Sequence, residues 1–591
     1  MKKICYSIGL ATLIFSCSPP QHDLLITNVN IIDVVTGEVL SSHTVAVDGD
    51  SITAIYKKFN KPGKQTEVVD GTGKYLIPGL WDMHAHHHFW YQDVNPILLY
   101  NGVTGIRELR SYMPLTKFLR QQNTSGAFTG VDIYSTGVPI NSTMEAVKHF
   151  GPLIFVFVEN AEEAAEAANC QISTGVDFIK VYSLSLEAFD AIMEVAAKAN
   201  IPVAGHVPEI VPIRHAIKAG MRSMEHLYGI ADASISGEAK VRLDSIKGLL
   251  LRMETFESLM NTLWVIDDLF YNHLDLTLLD NISAELAKSD VWITPTMVEK
   301  RSNFYEFDSS LIYDSRQEYL PRFMRVNLEE HEISKPDEQT IETRKRYYKT
   351  NEIVLQYLVK NGVKILAGTD YGVPFIYPGF SLHDELEIFV QHGMTPLQAL
   401  QTATINPSLA MKNDRIGSIS IGKLASLVLL NQNPLDDINA LRDIKSVILR
   451  GKVFSRWELD EMLTQTKRRA DLPDAMDLFK DLEAKSSFPD SFFALENNLD
   501  SLSESYNLSQ LARTINRFGY SYLNKDDTDN ARKVFESNIR LHPYNQLAWS
   551  GFAESFLKQG DTLKAVQYYQ KALNIYPCNI ELEKKLKELV Q

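Results

Sequence analysis

Residues 78–410 alternate short apolar runs with longer runs of helical period, such as "LEAFDAIMEVAAKAN". Eight of the apolar runs have the length and composition of buried strands. In chain order they are "LIPGLWDMH", "GVTGIREL", "VDIYSTG", "VDFIKVY", "IPVAGHV", "RSMEHL", "DVWITPT" and "VKILAGTD". Eight successive strand–helix units predict an α/β fold with a TIM-type (β/α)8 barrel, which typically takes ~250 residues. The surplus residues lie either side of "DVWITPT", and we expect them to be helical and to decorate the barrel mouth.

Two strand-rich segments flank this block. Residues 24–77 alternate apolar and polar side chains, as half-buried strands do. The pattern returns within residues 411–456, in "IGSISIGKLASLVLL" and "IKSVILRGKVFSR". We therefore expect one small β-sandwich domain built from both segments, with the barrel inserted between them.

The C-terminal region has a different periodicity. Two stretches within residues 512–591 align with an offset of 34 residues. The matched positions are Ala531 with Ala565, Phe535 with Tyr569 and Pro543 with Pro577. Length and pattern resemble tetratricopeptide repeats, which are all-α and bind peptides or proteins on a concave face. We expect them to bind a protein partner or to pack on the barrel, the alternative being a cap on the β domain, and residues 457–511 to form a helical spacer.

The N-terminus has the features of an export signal. Lys2 and Lys3 precede an apolar run that is too short to span a bilayer. The run ends in "IFSC", which resembles the lipobox of bacterial lipoproteins. Residues 1–16 are then a signal peptide, Cys17 is lipidated and residues 17–23 form a spacer. This predicts an exported lipoprotein, anchored in a membrane and facing the periplasm or the cell surface; an ordinary secretory signal is the alternative.

Net charge bears on the class of binding partner, and cysteine content bears on the disulfide bonds that the chain can form. The formal net charge of −15 argues against a nucleic-acid partner, because such surfaces carry a basic stripe. After cleavage and lipidation, Cys170 and Cys578 would be the remaining thiols, and they fall in different predicted domains. No disulfide framework is indicated, and we expect stability to come from hydrophobic cores.

Histidines cluster at the end of the first predicted barrel strand, in "PGLWDMHAHHHFW". His84 and His86 are two residues apart, so on a strand their side chains point the same way. They could be metal ligands, part of a solvated turn or a chance cluster. Polar residues at or near the ends of other strands favour ligands, because catalytic groups sit at the carboxyl ends of barrel strands. These residues are Lys180, His206, His226 and Asp370.

Lys180 interrupts the apolar strand "FIKVY". A buried ammonium beside divalent cations would be repelled, so the amine must lose its proton, against a reference pKa of ~10.4, or be modified. Carboxylation by carbon dioxide would convert this cation into an anionic bridging ligand.

These motifs resemble the amidohydrolase superfamily, close to its imidazolonepropionase-like and Xaa-Pro dipeptidase (prolidase) branch. The resemblance covers residues 24–456 and includes "PGLWDMHAH", "NGVTGIREL", "GHV", "EHLYG" and "GTD". It implies two divalent metal ions, for which Zn is our expectation although Mn and Fe suit the same ligands. The implied ligands are His84, His86 and Asp370 on one ion, His206 and His226 on the other, and carboxylated Lys180 bridging both. It also implies that a metal-bound hydroxide attacks the substrate and that Asp370 carries the proton.

Several residues near these motifs have less certain roles. His87 and His88 exceed what the motif needs, and we expect them at the mouth or behind the ligands. Tyr228 and Arg107 are candidate substrate contacts, with a packed tyrosine and a structural ion pair as the alternatives. Glu209 follows His206 at the spacing of the proton-handling glutamate in mononuclear deaminases of the superfamily.

We therefore predict a metal-dependent hydrolase that cleaves a C–N bond, other than an ordinary peptide bond, in a small amide, dipeptide-like or cyclic amide substrate. A mononuclear deaminase and a lactone or ester hydrolase are alternatives within the superfamily. An inactive binding protein that acts through its repeats is an alternative from another class, against which the intact set of six ligands argues.

Overall fold

The computed structural model describes residues 22–57, 66–87, 91–125, 129–148, 154–485 and 498–590. The predicted signal peptide, the lipidation site Cys17 and His88 lie outside the described residues. Within the described residues, no helix combines the length and the apolar composition that crossing a membrane requires.

The described chain contains short barrel strands and longer strands near the N-terminus. The strands are β1 (Leu24–Ile32), β2 (Val39–Asp48), β3 (Ser51–Tyr56), β4 (Glu67–Asp70), β5 (Tyr75–Pro78), β6 (Leu80–Ala85), β7 (Val103–Glu108), β8 (Asp132–Ser135), β9 (Ile140–Ser142), β10 (Val156–Val158), β11 (Ile179–Val181), β12 (Val203–Gly205), β13 (Ser223–Glu225), β14 (Trp292–Thr294), β15 (Leu427–Leu430), β16 (Ile444–Leu449) and β17 (Lys452–Ser455).

Helices follow most barrel strands and make up the C-terminal region. The helices are α1 (Tyr91–Tyr100), α2 (Met113–Ser125), α3 (Glu145–Lys148), α4 (Ala161–Ser173), α5 (Leu186–Ala199), α6 (Ile213–Lys218), α7 (Gly237–Leu250), α8 (Phe256–His273), α9 (Leu276–Lys288), α10 (Met297–Phe304), α11 (Ser309–Ile312), α12 (Leu328–Ile333), α13 (Glu338–Lys360), α14 (Phe380–Gln391), α15 (Pro396–Thr402), α16 (Ile405–Met411), α17 (Arg456–Ala470), α18 (Ala475–Lys485), α19 (Leu499–Ser503), α20 (Leu511–Asn524), α21 (Thr528–Leu541), α22 (Gln546–Lys558), α23 (Thr562–Ile575) and α24 (Ile580–Val590).

The flanking segments form one mixed sheet with the order β17-β16-β15-β5-β1-β2-β3, in which β4 also pairs with β1. Strands from before and after the barrel meet where β5 pairs antiparallel with β15. One face of the sheet contributes to a separate apolar core, which contains Ile52 of β3 and Ile448 of β16. The sheet therefore curls until its two ends share a core, and Ser51 forms a bridge with Leu424 across the gap.

The barrel strands run parallel in two groups, β6-β7-β8 and β10-β9-β11-β12-β13-β14. Asp177 N donates to Ser135 O at 2.9 Å and joins β8 to the strand region of β11. The last predicted strand, residues 363–370, closes the ring through bridges from Ile365 to Ile293 and from Tyr371 to Ala85. The predicted TIM-type barrel is confirmed, with the two long connections forming α7–α9 and α10–α13.

The first predicted strand divides between the two domains. Its start, β5, belongs to the β domain, and its end, β6, belongs to the barrel. Gly79 lies at the break, and a Cβ atom built there would fall 2.1 Å from Thr104 Oγ1. The chain can therefore pass this close to β7 because residue 79 has no side chain.

The C-terminal helices α20–α23 form two helix pairs, and α24 packs against α23. Their own core includes Phe535, whose ring fills the space a Cβ would need at Gly519 and Gly551. The all-α repeat region is thus confirmed.

The repeats also dock on the barrel. The ring of Tyr576 packs edge-on against Tyr112, with 5.2 Å between centroids. Lys584 Nζ lies 3.0 Å from Glu163 Oε1 on α4. Tyr576 and Cys578 belong to the same buried cluster as the barrel core, so the two regions share packed apolar side chains.

Cys170 on α4 and Cys578, just before α24, form a disulfide. The expectation of two separate thiols is therefore wrong. The bonded residues are 408 positions apart, and they meet because the repeats pack against α2 and α4. Neither local sequence contains information about this docking, and only the tertiary contact reveals the bond.

Breaking this disulfide should destabilise the docked repeats. We expect Cys170→Ser to lower the melting temperature, because removing a native disulfide typically costs about 2–4 kcal/mol. Cys578→Ser should lower it equally, and the double variant should lower it no further. Calorimetry with and without a reducing agent measures the effect, and reduction should affect only the wild type. A wild-type melting temperature that is insensitive to reduction would contradict this role.

Candidate metal centre

The predicted ligands converge at the carboxyl ends of the barrel strands. His84 lies within β6, and Asp370 follows the closing strand segment. His86 Nε2 lies 3.0 Å and His84 Nε2 lies 3.4 Å from Asp370 Oδ1. Ligand atoms of these three residues all lie within 4.8 Å of one another, which is the grouping a single cation needs.

The two remaining histidines lie directly beside this group. His226 Nε2 is 3.9 Å from Asp370 Oδ2, and its ring centroid is 4.5 Å from that of His84. The ring of His206 is 4.9 Å from that of His226. Asp370 therefore faces His84 and His86 with one oxygen and His226 with the other.

Lys180 is buried at the same place, with 2% of its surface exposed. Burial lowers the pKa of its amine to about 8. Burial, and next the charge of Lys180, hold the pKa values of His84 and His206 well below their ordinary value. The lysine is thus close to histidines of both predicted ligand groups, and both imidazoles are neutral at pH 7, as metal ligation requires.

The contacts of these side chains fit a divalent cation. His84 Nε2 and Asp370 Oδ1 are buried, and neither has a hydrogen-bond partner among the residues that the structure describes. Buried polar atoms in proteins are nearly always paired, with protein, water or an ion. Imidazole nitrogens and a carboxylate form a donor set that suits Zn, Mn or Fe. His84, His86 and Asp370 would hold one ion. A second ion on His206 and His226, with Lys180 as the bridge, stays a prediction.

A buried network fixes the orientation of His84. Its Nδ1 lies 2.9 Å from Glu225 Oε2, and Arg107 Nη2 donates to both oxygens of Glu225 at 2.7 and 2.8 Å. Arg107 also donates to Met83 O at 2.6 Å and to Ser223 Oγ at 2.9 Å. Such partners set the tautomer and the ring direction of a ligating histidine.

Arg107 is only 4% exposed, and the contacts just described lie inside the barrel. Of its two sequence-based interpretations, these are the contacts of a structural ion pair. Tyr228 is placed differently, because it is 37% exposed and its ring lies 4.7 Å from that of His206. Tyr228 thus lies beside a predicted ligand, and its role as a substrate contact stays a prediction.

The backbone is strained where two ligands leave their strands. His226 and Asp370 have φ values of +60° and +63°, a region that residues other than glycine rarely occupy. Asp82 holds the second turn in place, accepting hydrogen bonds from Thr369 N at 3.0 Å and from Thr369 Oγ1 at 2.6 Å. Strain of this kind persists where the surroundings over-determine the conformation, and it concentrates at functional sites.

His87 and Glu209, which lie in the motifs but are not predicted ligands, have hydrogen-bond partners within the protein. His87 N donates to Glu108 Oε2 at 2.5 Å, and its Nδ1 lies 3.1 Å from the hydroxyl of Tyr371. His87 is buried behind the ligands, one of the two positions predicted for it. Glu209 Oε1 accepts a hydrogen bond from Ser183 Oγ at 2.9 Å.

Sequence reasoning missed several residues that build the site. Glu225 precedes His226 and is a charged residue in a buried strand. This pattern in the sequence could have indicated a role in the site. Thr296, whose Oγ1 lies 2.7 Å from His226 Nδ1, gave no such signal. Glu299 and Lys300 lie near the start of α10, which begins at Met297, and in sequence they look like an ordinary polar helical turn.

Comparison with known proteins agrees with this architecture. The model of the Amidohydrolase family matches residues 75–454, more than half of the chain. A Tetratricopeptide repeat model matches residues 551–577. The ochratoxinase of Aspergillus niger is 23% identical over 477 residues, which cover 70% of this chain and 82% of the relative.

Solved structures show the same fold. A bottromycin amidohydrolase superposes with a TM-score of 0.59 at 23% identity, covering 76% of this chain and 90% of its own. A Xaa-Pro dipeptidase with methionine bound in its active site superposes with a TM-score of 0.52 at 20% identity, covering 73% and 99%. With the family model, the barrel and the ligand geometry in agreement, the chain belongs to the amidohydrolase family.

Proposed function

We propose that the protein is a metal-dependent hydrolase that cleaves the C–N bond of a small amide, dipeptide-like or cyclic amide substrate. Family membership supports the coarser function, hydrolysis of amide bonds. One observation carries the metal dependence: His84 Nε2 and Asp370 Oδ1 are buried side by side, and within the described part of the chain neither has a hydrogen-bond partner. When bound, divalent ions in such a site lower the pKa of water and polarise a substrate carbonyl.

We assign the proton transfer to Asp370. Water attacks the carbonyl carbon, and Asp370 accepts the proton that the water loses. The C–N bond then breaks, and the same carboxyl group returns the proton to the leaving nitrogen. The products are a carboxylic acid and an amine. The position of Asp370 supports this role, because one of its oxygens faces His84 and His86 and the other faces His226.

We assign the role of shared ligand to Lys180, and its burial beside the predicted ligands supports this assignment. Its neutral amine can attack carbon dioxide, forming an N–C bond and releasing a proton. The carbamate that results is an anion where the ammonium was a cation. This change removes the repulsion between Lys180 and any cations held by the histidines around it.

We also propose that the protein is exported and anchored through lipidated Cys17. The Cys170–Cys578 disulfide supports export, because such bonds form and persist in oxidising compartments. A protein partner for the tetratricopeptide repeats stays a prediction, supported by the peptide-binding use of this architecture.

Lys180→Ala should abolish turnover and lower the bound metal from two equivalents to one or none. Metal analysis of the purified protein and assays on Xaa-Pro dipeptides, N-acyl amino acids and cyclic amides provide the measurements. Short carboxylic acids should partly restore activity by occupying the space of the carbamate. Lys198→Ala, an exposed change on α5, is the matched control. Full activity with one tightly bound metal and an unmodified Lys180 would refute the dinuclear assignment, and release of ammonia instead of an amine would favour a deaminase.

Asp370→Asn should keep the fold and lose most turnover. The amide cannot accept the proton, and general acid–base groups typically contribute ~10²–10⁴-fold to the rate. Asp290→Asn is the control, since that carboxylate is exposed and pairs with Lys364. The comparison requires kcat, metal content and melting temperature for both variants. Normal turnover at normal metal content would exclude Asp370 as the proton carrier.

Lipidation is tested by growth in labelled palmitate. The wild type should incorporate the label and fractionate with membranes, whereas Cys17→Ser should do neither. An unlabelled wild-type protein would contradict the lipoprotein assignment and leave an ordinary secretory signal.

A further inference from the structure

The N-terminal end of the described chain is fixed on the turn between β2 and β3. His22 is buried. Its Nδ1 lies 2.9 Å from Oδ2 of Asp48, the last residue of β2, and its Nε2 lies 2.9 Å from the hydroxyl of Tyr56. Four residues separate His22 from Cys17, and a fully extended chain of this length reaches ~18 Å. A lipid on Cys17 would therefore hold this turn close to the membrane surface.

The same turn contacts the segment that leads from the barrel back to the β domain, residues 409–424. Gly422 N donates to Ile52 O of β3 at 2.8 Å. Arg415 Nη2 lies 3.3 Å from Oδ1 of Asp50, which lies in the turn itself. Segment 409–424 is thus next to the point where the chain would arrive from its anchor.

Segment 409–424 lies at the amino ends of the barrel strands. Arg222, which directly precedes β13, donates to Leu409 O at 3.1 Å and to Ala410 O at 3.3 Å. Arg450, in the turn between β16 and β17, forms an ion pair with Asp132, the first residue of β8. The predicted ligands lie at the carboxyl ends of the strands. The anchor and the metal centre are therefore at opposite ends of the barrel.

The surface of this segment combines apolar and basic side chains. Leu409 and Ile421 are 54% and 66% exposed. The sequence "LAMKNDRIGSISIGKL" has three basic residues and one acidic residue, whereas the whole chain has a net charge of −15. At a bilayer surface, apolar side chains enter the boundary between headgroups and acyl chains, while lysines such as Lys412 meet the lipid phosphates. The segment therefore has the chemistry of a membrane contact.

We infer that the amino-end face of the barrel, around Leu409 and Ile421, rests on the lipid bilayer, so that the metal centre opens away from the membrane. This inference rests on the proposed lipidation of Cys17 and is independent of the reaction that the centre catalyses. Substrate then reaches the centre from the aqueous compartment, and the lipid surface covers the opposite end of the barrel.

An exposed isoleucine on the other face provides a matched control. Ile333 of α12 is 80% exposed. The same helix carries His331, whose ring centroid lies 5.8 Å from that of Phe375. Phe375 belongs to the connection that follows Asp370. Helix α12 is therefore on the side of the metal centre.

Fluorescence quenching on vesicles tests the orientation. Ile421→Cys and Ile333→Cys are each labelled with one dye in the full-length lipidated protein, in which Cys170 and Cys578 are bonded to each other. The vesicles contain phosphatidylcholine and phosphatidylglycerol, with a nitroxide quencher on the upper acyl chain. The dye at position 421 should lose most of its fluorescence, because such surfaces sit ~5–10 Å into the headgroup boundary. The dye at position 333 should lose almost none.

A charge reversal on the same face tests the contact with lipid phosphates. Added to Ile421→Cys, the change Lys412→Glu should reduce the quenching at position 421, since a carboxylate is repelled by phosphates. Lys335→Glu, an equal change at an exposed position beside α12, should leave this quenching unchanged. Equal quenching in both charge variants would contradict a contact through segment 409–424.

Labelled palmitate separates failure of this inference from failure of the lipidation. A protein that incorporates palmitate but shows equal quenching at positions 421 and 333, or stronger quenching at 333, would overturn the orientation and leave the lipoprotein assignment standing. A protein that incorporates no palmitate would refute the lipidation and with it the orientation, whereas the hydrolase function would stand. If Ile421→Cys does not fold, Leu409→Cys places the dye on the same face, and the same outcomes decide.

Discussion

The buried contact between Arg107 and Glu225 connects the barrel to its chemistry. The pair joins β7 to β13, and the same arginine reaches Met83 O on β6 and Thr294 Oγ1 on β14. Glu225 in turn holds His84. Removing one partner of a buried ion pair costs ~3–5 kcal/mol, because the other charge stays buried without compensation. One network thus both stabilises the strand ring and fixes a ligand.

The site also depends on how the strands end. His226 and Asp370 leave their strands with positive φ, which aims both side chains at the same point although their strands are not neighbours. Gly368 allows this at the closing segment, since a Cβ there would lie 2.7 Å from His84 N. Packing and hydrogen bonds hold the strained turns, and such support keeps the side chains of a site in a fixed orientation.

The barrel and its ligands could be predicted because their signals are local. Strand–helix alternation follows from hydrophobic period, and each predicted ligand is a lone polar residue within or at the end of an apolar run. Arg107 could not be assigned in this way, since a buried ion pair and a substrate contact look the same in sequence. The burial of Lys300 was missed because it results from the packing of α10 against α13 and α14, a tertiary effect that an ordinary polar helical turn does not reveal.

The C-terminal repeats are best understood as completing the barrel surface. Two helix pairs are fewer than the three repeats that usually form a stable unit. Tyr576 and Cys578 belong to the barrel's apolar core. The helix α17, which follows the β domain, also packs against the barrel helix α1. A chain that ended near Arg456 would expose this apolar surface and lose the disulfide. The repeats therefore gain stability from the barrel while part of the barrel's core depends on them, so the two regions should unfold together.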